Sequence, residues 1–135
     1  KLDDKPRSAK GWFLLGKLYS SQTEYGKAQD AFTKAHELNP DDEQFTVFYI
    51  HSLWISNNQQ FNDAIRQLFK DSLVKNPKQA DALAMLAMDA FLEHHNEQAV
   101  GYWQRLLQLT APQSEEAEAI RKAIAKAQSE FSPHT

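Results

Sequence analysis

The chain of 135 residues has no cysteine, which removes disulfides, thiolate metal sites, a thiol nucleophile and covalent haem attachment from consideration. Zero cysteine suits any compartment and does not choose between cytosol and periplasm. No apolar run reaches the roughly 18 residues of a membrane-spanning helix. Basic residues are not in excess, because 15 Lys and Arg stand against 18 Asp and Glu for a net charge of −3. Nucleic-acid surfaces carry a basic face, so nucleic acid is not an expected partner. Gly-rich phosphate loops, nucleophile elbows and zinc-protease motifs are absent too. The expectation is a protein that is not an enzyme, with no catalytic residue and no cofactor.

Glycine and proline are also scarce, at four and five residues, while helix-favouring Ala, Leu, Gln, Lys and Glu are abundant. With 41% hydrophobic and 24% charged residues, the composition is that of a folded globular chain. Pro40, Pro77 and Pro112 are separated by 37 and 35 residues, a period that calls for a repeat. Counting from Ala9 as position 1, Trp12, Leu15, Gly16, Tyr19, Ala28, Phe32, Ala35 and Pro40 fall at 4, 7, 8, 11, 20, 24, 27 and 32.

This pattern resembles the tetratricopeptide repeat (TPR), whose eight signature positions are all filled. The physical logic is direct. Two paired helices approach closely where a side chain is nearly absent, at Gly16 and Ala28, and large residues fill the space around them. A second repeat from Glu43 is degenerate, with Ile50 where a small residue belongs and a polar stretch, SNNQQFND, that lengthens its turn. Phe69 and Ser72 then resume the large and small roles ahead of Pro77. A third repeat from Ala80 supplies Leu83, Leu86, Ala87, Ala90, Ala99 and Trp103. After Pro112, Ser114 is placed to cap a last helix with the apolar stripe Ala117, Ile120, Ala123, Ile124 and Ala127.

The expected fold is all-α, a right-handed α-α superhelix of three TPR helix pairs plus a C-terminal capping helix. Helices are expected at about 9–22, 25–38, 43–56, 61–75, 79–94, 96–110 and 114–130, in one domain with repeats at about 9–42, 43–79 and 80–112.

In TPR arrays the first helix of each repeat lines a concave groove, and the resemblance assigns groove positions here. The first repeat offers Lys10, Phe13, Leu14, Lys17, Ser20 and Ser21. The second offers Gln44, Val47, Phe48, His51, Trp54 and Ile55, and the third Asp81, Ala84, Met85, Met88, Phe91 and Leu92. Peptide binding is expected at Phe13, Lys17, Val47, Phe48, His51, Trp54, Met85, Met88 and Phe91, since Met and aromatic side chains make adaptable anchors. The competing expectation is that these apolar residues pack among themselves as core. Lys10 and Lys17 are candidates for a peptide's terminal carboxylate. The carboxylate clamp of chaperone-tail TPR domains is missing, because Phe13, Lys17, Phe48, Asp81 and Met85 occupy its positions. The pair His94-His95 reads as a polar turn, since neighbours on a helix diverge by about 100° and spacing fixes no third ligand. His36 and His134 are expected to be exposed.

Within the TPR class, the lead-in KLDDKPR, the first repeat GWFLLGKLY, the long turn SNNQQFNDAI and the run DALAMLAMDAFLEHHNEQAVGYWQRLLQL resemble the periplasmic TPR domain of bacterial cytochrome c maturation proteins. These are the NrfG and CcmH/CcmI-type subunits of the haem lyase complex. The resemblance implies a chaperone-like adaptor on the periplasmic face of the inner membrane. Its partner would be the C-terminal segment of an apocytochrome c, or a haem lyase subunit. The start at Lys1 reads as a piece of a longer, membrane-anchored protein, with contact to the membrane only through a segment outside this chain. The alternative is a structural TPR scaffold in another envelope assembly complex.

Overall fold

The computed structural model describes residues 8–131; the lead-in KLDDKPR, Pro133 and His134 lie outside the described residues. Among the described residues there are seven helices and no strand. These are α1 Ala9–Ser21, α2 Tyr25–Leu38, α3 Glu43–Ser56, α4 Asp63–Lys75, α5 Ala80–Leu92, α6 Asn96–Leu107 and α7 Glu115–Phe131. Each falls where the periodicity places it, with differences of up to three residues at the ends. The chain divides into two compact units, one ending at Leu68 and the other beginning at Phe69, inside α4.

In the first unit α1 packs on α2 and α2 on α3. A Cβ added to Gly16 would lie 2.6 and 2.7 Å from two ring carbons of Phe32, far inside van der Waals contact. Phe32 thus packs its ring on bare backbone and is itself buried. Around it gather Phe13, Ala28, Ala35 and Phe45, with Trp12, Tyr19, Phe48 and Tyr49 partly buried at the margin. The expectation that Gly16 marks close approach holds, and the group that approaches is the position-24 ring. Ile50 is fully buried, so the second repeat accommodates a branched side chain at its small position.

Helix ends follow from local chemistry. Ser8 Oγ accepts from Gly11 N at 3.0 Å, Asp42 Oδ1 from Phe45 N at 2.9 Å and Asn62 Oδ1 from Ile65 N at 2.8 Å, so α1, α3 and α4 start on side-chain caps. Helices α1, α3 and α5 stop the same way, with a left-handed residue at Thr23, Asn58 and His94 (φ 59, 60 and 64°). The following N–H reaches back to Tyr19 O, Trp54 O and Ala90 O at 2.9, 3.0 and 2.8 Å, which satisfies a carbonyl the helix leaves open. Gln59 adds a second positive φ of 58°, and the turn at 57–62 is twice the length of those at 22–24 and 93–95. The insertion therefore begins after the shared helix stop. His36 differs from expectation. It is half-buried, stacked on Tyr49 at 4.7 Å and 9°, with Thr46 Oγ1 3.1 Å from its Nδ1.

In the second unit α5 packs on α6 and α6 on α7. Phe69, Ser72, Leu83, Leu86, Ala87, Ala90 and Ala99 are buried at their repeat positions. Ser114 Oγ accepts from Ala117 N at 3.0 Å and caps α7, whose Glu115, Glu116 and Glu118 suit the positive end of the helix dipole. Its stripe is inward, with Ala117, Ile120 and Ala127 buried and Ala123 and Ile124 half-buried. Asn96, itself buried, donates from Nδ2 to Ala127 O at 3.4 Å and ties α6 to α7.

Two of the four helical glycines, Gly16 and Gly101, should respond in opposite senses to alanine. Gly16→Ala gains helix propensity but drives a methyl into Phe32, and a net loss of about 1–2 kcal/mol is expected. Gly101 has nothing within 4 Å of the added carbon, so Gly101→Ala should gain about 0.5–1 kcal/mol. Urea unfolding of both variants measures the two signs.

Candidate functional site

Residues four apart share a helix face, so Phe13 and Lys17 sit one above the other on α1. On α3 Val47 and His51 are four apart and Phe48, His51 and Trp54 three apart, spacings that also bring residues onto one side of a helix. The ring of Phe13 meets those of Phe45 and Phe48 at 4.9 Å, the latter edge-on at 82°, and that of Phe32 at 5.8 Å. Phe32 and Phe48 are 5.4 Å apart. Four aromatic rings from three helices thus form one cluster. The Lys17 ammonium lies over its solvent side, 5.4 Å from the Phe13 centroid and 5.8 Å from that of Phe48. Cation–π attraction to two rings holds a side chain that is otherwise exposed.

Beside this cluster is a cavity of about 170 Å³ lined by Ser20, Tyr25, Ala28, Phe32, Phe48, His51, Ser52 and Ile55. Its hydroxyl Ser52 Oγ already donates to Tyr49 O at 2.6 Å, so that wall group is satisfied. His51 is exposed and 5.3 Å from the Trp54 ring, which in turn lies 5.9 Å from Phe61. Trp54 Nε1 is buried with no acceptor. A separate, shallower hollow of about 590 Å³ runs between α1 and α2, lined in part by Trp12, Leu15, Tyr19 and Ala31. These three large signature residues are only half-buried.

In the second unit Met85 is buried, and Met88 and Phe91 are half-buried. Phe91 packs on Trp103 of α6 at 5.8 Å. His94, His95, Asn96, Glu97 and Gln98 line an open hollow at the start of α6. No cluster of three or more His, Asp or Glu placed to hold a metal ion occurs among the described residues.

The nine residues expected to bind peptide therefore sort into two sets. Phe13, Val47 and Met85 are 5, 4 and 9% exposed and belong to the core. Lys17 and His51 are exposed, while Phe48, Trp54, Met88 and Phe91 are half-buried and present one side. Spacing along a helix gives the face but not what covers it, and Phe13 is covered by the rings of Phe32 and Phe45. Tyr25, 43% exposed, is the cavity wall that sequence reasoning missed. Its signal was present, as an aromatic residue opening α2 at a position the repeat signature leaves free.

Helix pairs in tandem, with Gly16, Ala28, Phe32 and Ala35 buried at their repeat positions, define a TPR domain. The chain belongs to the family described as the cytochrome c-type biogenesis protein H TPR domain, whose model matches residues 1–117. It is similar to the cytochrome c-type biogenesis protein CycH of Pseudomonas aeruginosa, at 28% identity over 91% of this chain and 30% of that protein. It is also similar to the formate-dependent nitrite reductase complex subunit NrfG of Escherichia coli O157:H7, at 26% identity over 83% of this chain and 57% of NrfG. The chain thus spans from under a third to just over half of these relatives. Among solved structures, the first TPR of Spaghetti bound to an HSP90 peptide matches with a TM-score of 0.72 at 18% identity, over 93% of this chain and 96% of that one. At that identity the match speaks for the fold. No helix among the described residues is long and apolar enough to cross a membrane.

Truncation separates core from surface at this site. Phe13→Ala should cost about 3–5 kcal/mol of stability, as for a buried ring, whereas Lys17→Ala should stay within about 0.5 kcal/mol. Thermal and urea unfolding of the two variants check the difference.

Proposed function

We propose that this domain is the peptide-binding adaptor of a cytochrome c maturation apparatus. It binds a segment of a protein partner, the C-terminal segment of an apocytochrome c or of a haem lyase subunit, and presents it for haem attachment carried out elsewhere. In the first unit the contacts are Lys17, Phe48, His51 and Trp54, with Phe13 and Val47 as the floor beneath them. In the second unit they are Met88 and Phe91, with Met85 beneath. The observation that carries the reading is the cavity walled by Phe48 with an exposed cation 5.8 Å from the same ring, in a chain of this family. A concave apolar site with a few polar groups is what a docking segment needs. The family membership and its cytochrome c biogenesis relatives support the partner class. The same kinship supports a place at the periplasmic face of the inner membrane, with anchoring by a segment outside this chain.

Calorimetric titration with a C-terminal apocytochrome c peptide tests the proposal. Micromolar binding is expected, with a loss of about tenfold or more for the Trp54→Ala, Met88→Ala double variant. Unchanged affinity in that variant would overturn the residue assignment. Absence of binding by the parent domain, to apocytochrome and haem lyase peptides alike, would overturn the proposal itself.

A further inference from the structure

We infer that the first unit reads two features of one partner segment: a bulky apolar side chain that enters the 170 Å³ cavity, and an acidic side chain beside it that meets Lys17. The inference rests on the peptide-binding reading above and names the chemistry of the residues that segment must carry.

The cavity volume sets the first requirement. A dry apolar cavity of about 150 Å³ is enough to hold benzene, so about 170 Å³ suits a Phe, Leu or Met side chain. Tyr25, Phe32, Phe48 and Ile55 offer it carbon surface, and the hydroxyl of Ser52 is already engaged within α3. Ser20, Tyr25 and His51 also bring polar atoms to the wall, so the preference for an apolar side chain rests on the carbon surface of Phe32, Phe48 and Ile55.

Lys17 sets the second requirement. Phe48 is a wall of the cavity, and the ammonium stands 5.8 Å from its ring centroid, so the cation lies one ring away from the cavity without lining it. Two rings hold it in place, which lowers the entropy that ordering a long side chain costs. Among the described residues no carboxylate pairs with it. The local charge also runs against the whole. The chain carries −3, yet α1 holds Lys10 and Lys17 and no Asp or Glu, and α3 holds only Glu43, in its first turn. A segment bearing an acid is therefore favoured on this face and a basic one disfavoured.

The acid is a side chain rather than a chain terminus. A lysine is a compact point charge, and the groups flanking Lys17 are aromatic rings without N–H donors. Fixing both oxygens of a terminal carboxylate takes several converging donors. One ammonium suffices to prefer Glu or Asp over Gln or Asn at a fixed offset from the buried side chain.

The test uses the whole chain and fluorescein-labelled, C-terminally amidated 16-residue helical peptides of Ala and Gln. The parent peptide carries one Phe and one Glu a helical turn apart, and binding is read by anisotropy at low salt. Replacing the Glu by Gln should weaken binding about fivefold or more, and replacing the Phe by Ala about tenfold or more. Lys17→Gln in the protein should erase the Glu preference and keep the Phe preference. Ser20→Trp, which fills the cavity from the half-buried end of α1, should erase the Phe preference at an unchanged melting temperature. Equal binding of the Glu and Gln peptides, or a Glu preference that survives Lys17→Gln, overturns the inference. So does rescue of the Gln peptide by a free C-terminal carboxylate. If the apocytochrome segment binds while the Phe–Glu peptide does not, the inference falls and the adaptor function stands. If no peptide of either kind binds, both fall.

Discussion

The ring of Phe32 lies where the side chain of residue 16 would be. Without that vacancy α1 and α2 could not place a phenyl group between them, and Phe13 and Phe48 would lose the ring that both pack on. Glycine inside a helix costs about 1 kcal/mol relative to alanine, so the contact it admits must return more than that. It does so by burying a whole aromatic side chain, which is worth a few kcal/mol, and by giving two further rings a surface to pack on. The exposed consequence is Lys17, whose ammonium rests on the Phe13 and Phe48 rings. A packing requirement thus fixes the place of a charge.

The chain's irregularities fall at helix ends rather than within this packing. Three helices stop on a left-handed residue that is not glycine, each with the same backward hydrogen bond. Because the stop is a local device, the second repeat can add residues after it without disturbing the helix before it. The longer turn at 57–62 follows, with Phe61 set against Trp54. The degenerate repeat keeps buried residues at its repeat positions, Ile50 in the first unit and Phe69 and Ser72 in the second.

Much of this was legible from the amino acids. The eight spaced residues from Trp12 to Pro40 name the repeat because each interval answers a packing demand, and Asp42 and Ser114 announce helix starts by their chemistry. The site was legible in part. Lys17 and His51 face outward as their positions imply, but Phe13, Val47 and Met85 went to the core. Helical spacing tells which residues share a face, whereas burial depends on what another helix sets against it. Tyr25 became visible as a wall only once α1, α2 and α3 were brought together. His36, expected in solvent, stacks on Tyr49 for the same reason.

The signature residues belong to the fold, and of the residues between them those left exposed, Lys17 and His51 in the first unit, are open to recognition; both rest on the Gly16–Phe32 contact. A double-mutant cycle between Gly16 and Phe32 is the most direct measurement of that contact. Gly16→Ala should destabilise the native protein, yet become neutral or stabilising, by up to about 1 kcal/mol, in a Phe32→Leu background where the ring is gone and helix propensity alone remains. An equal cost of Gly16→Ala in both backgrounds would show that the ring does not depend on the missing side chain, and would contradict the account.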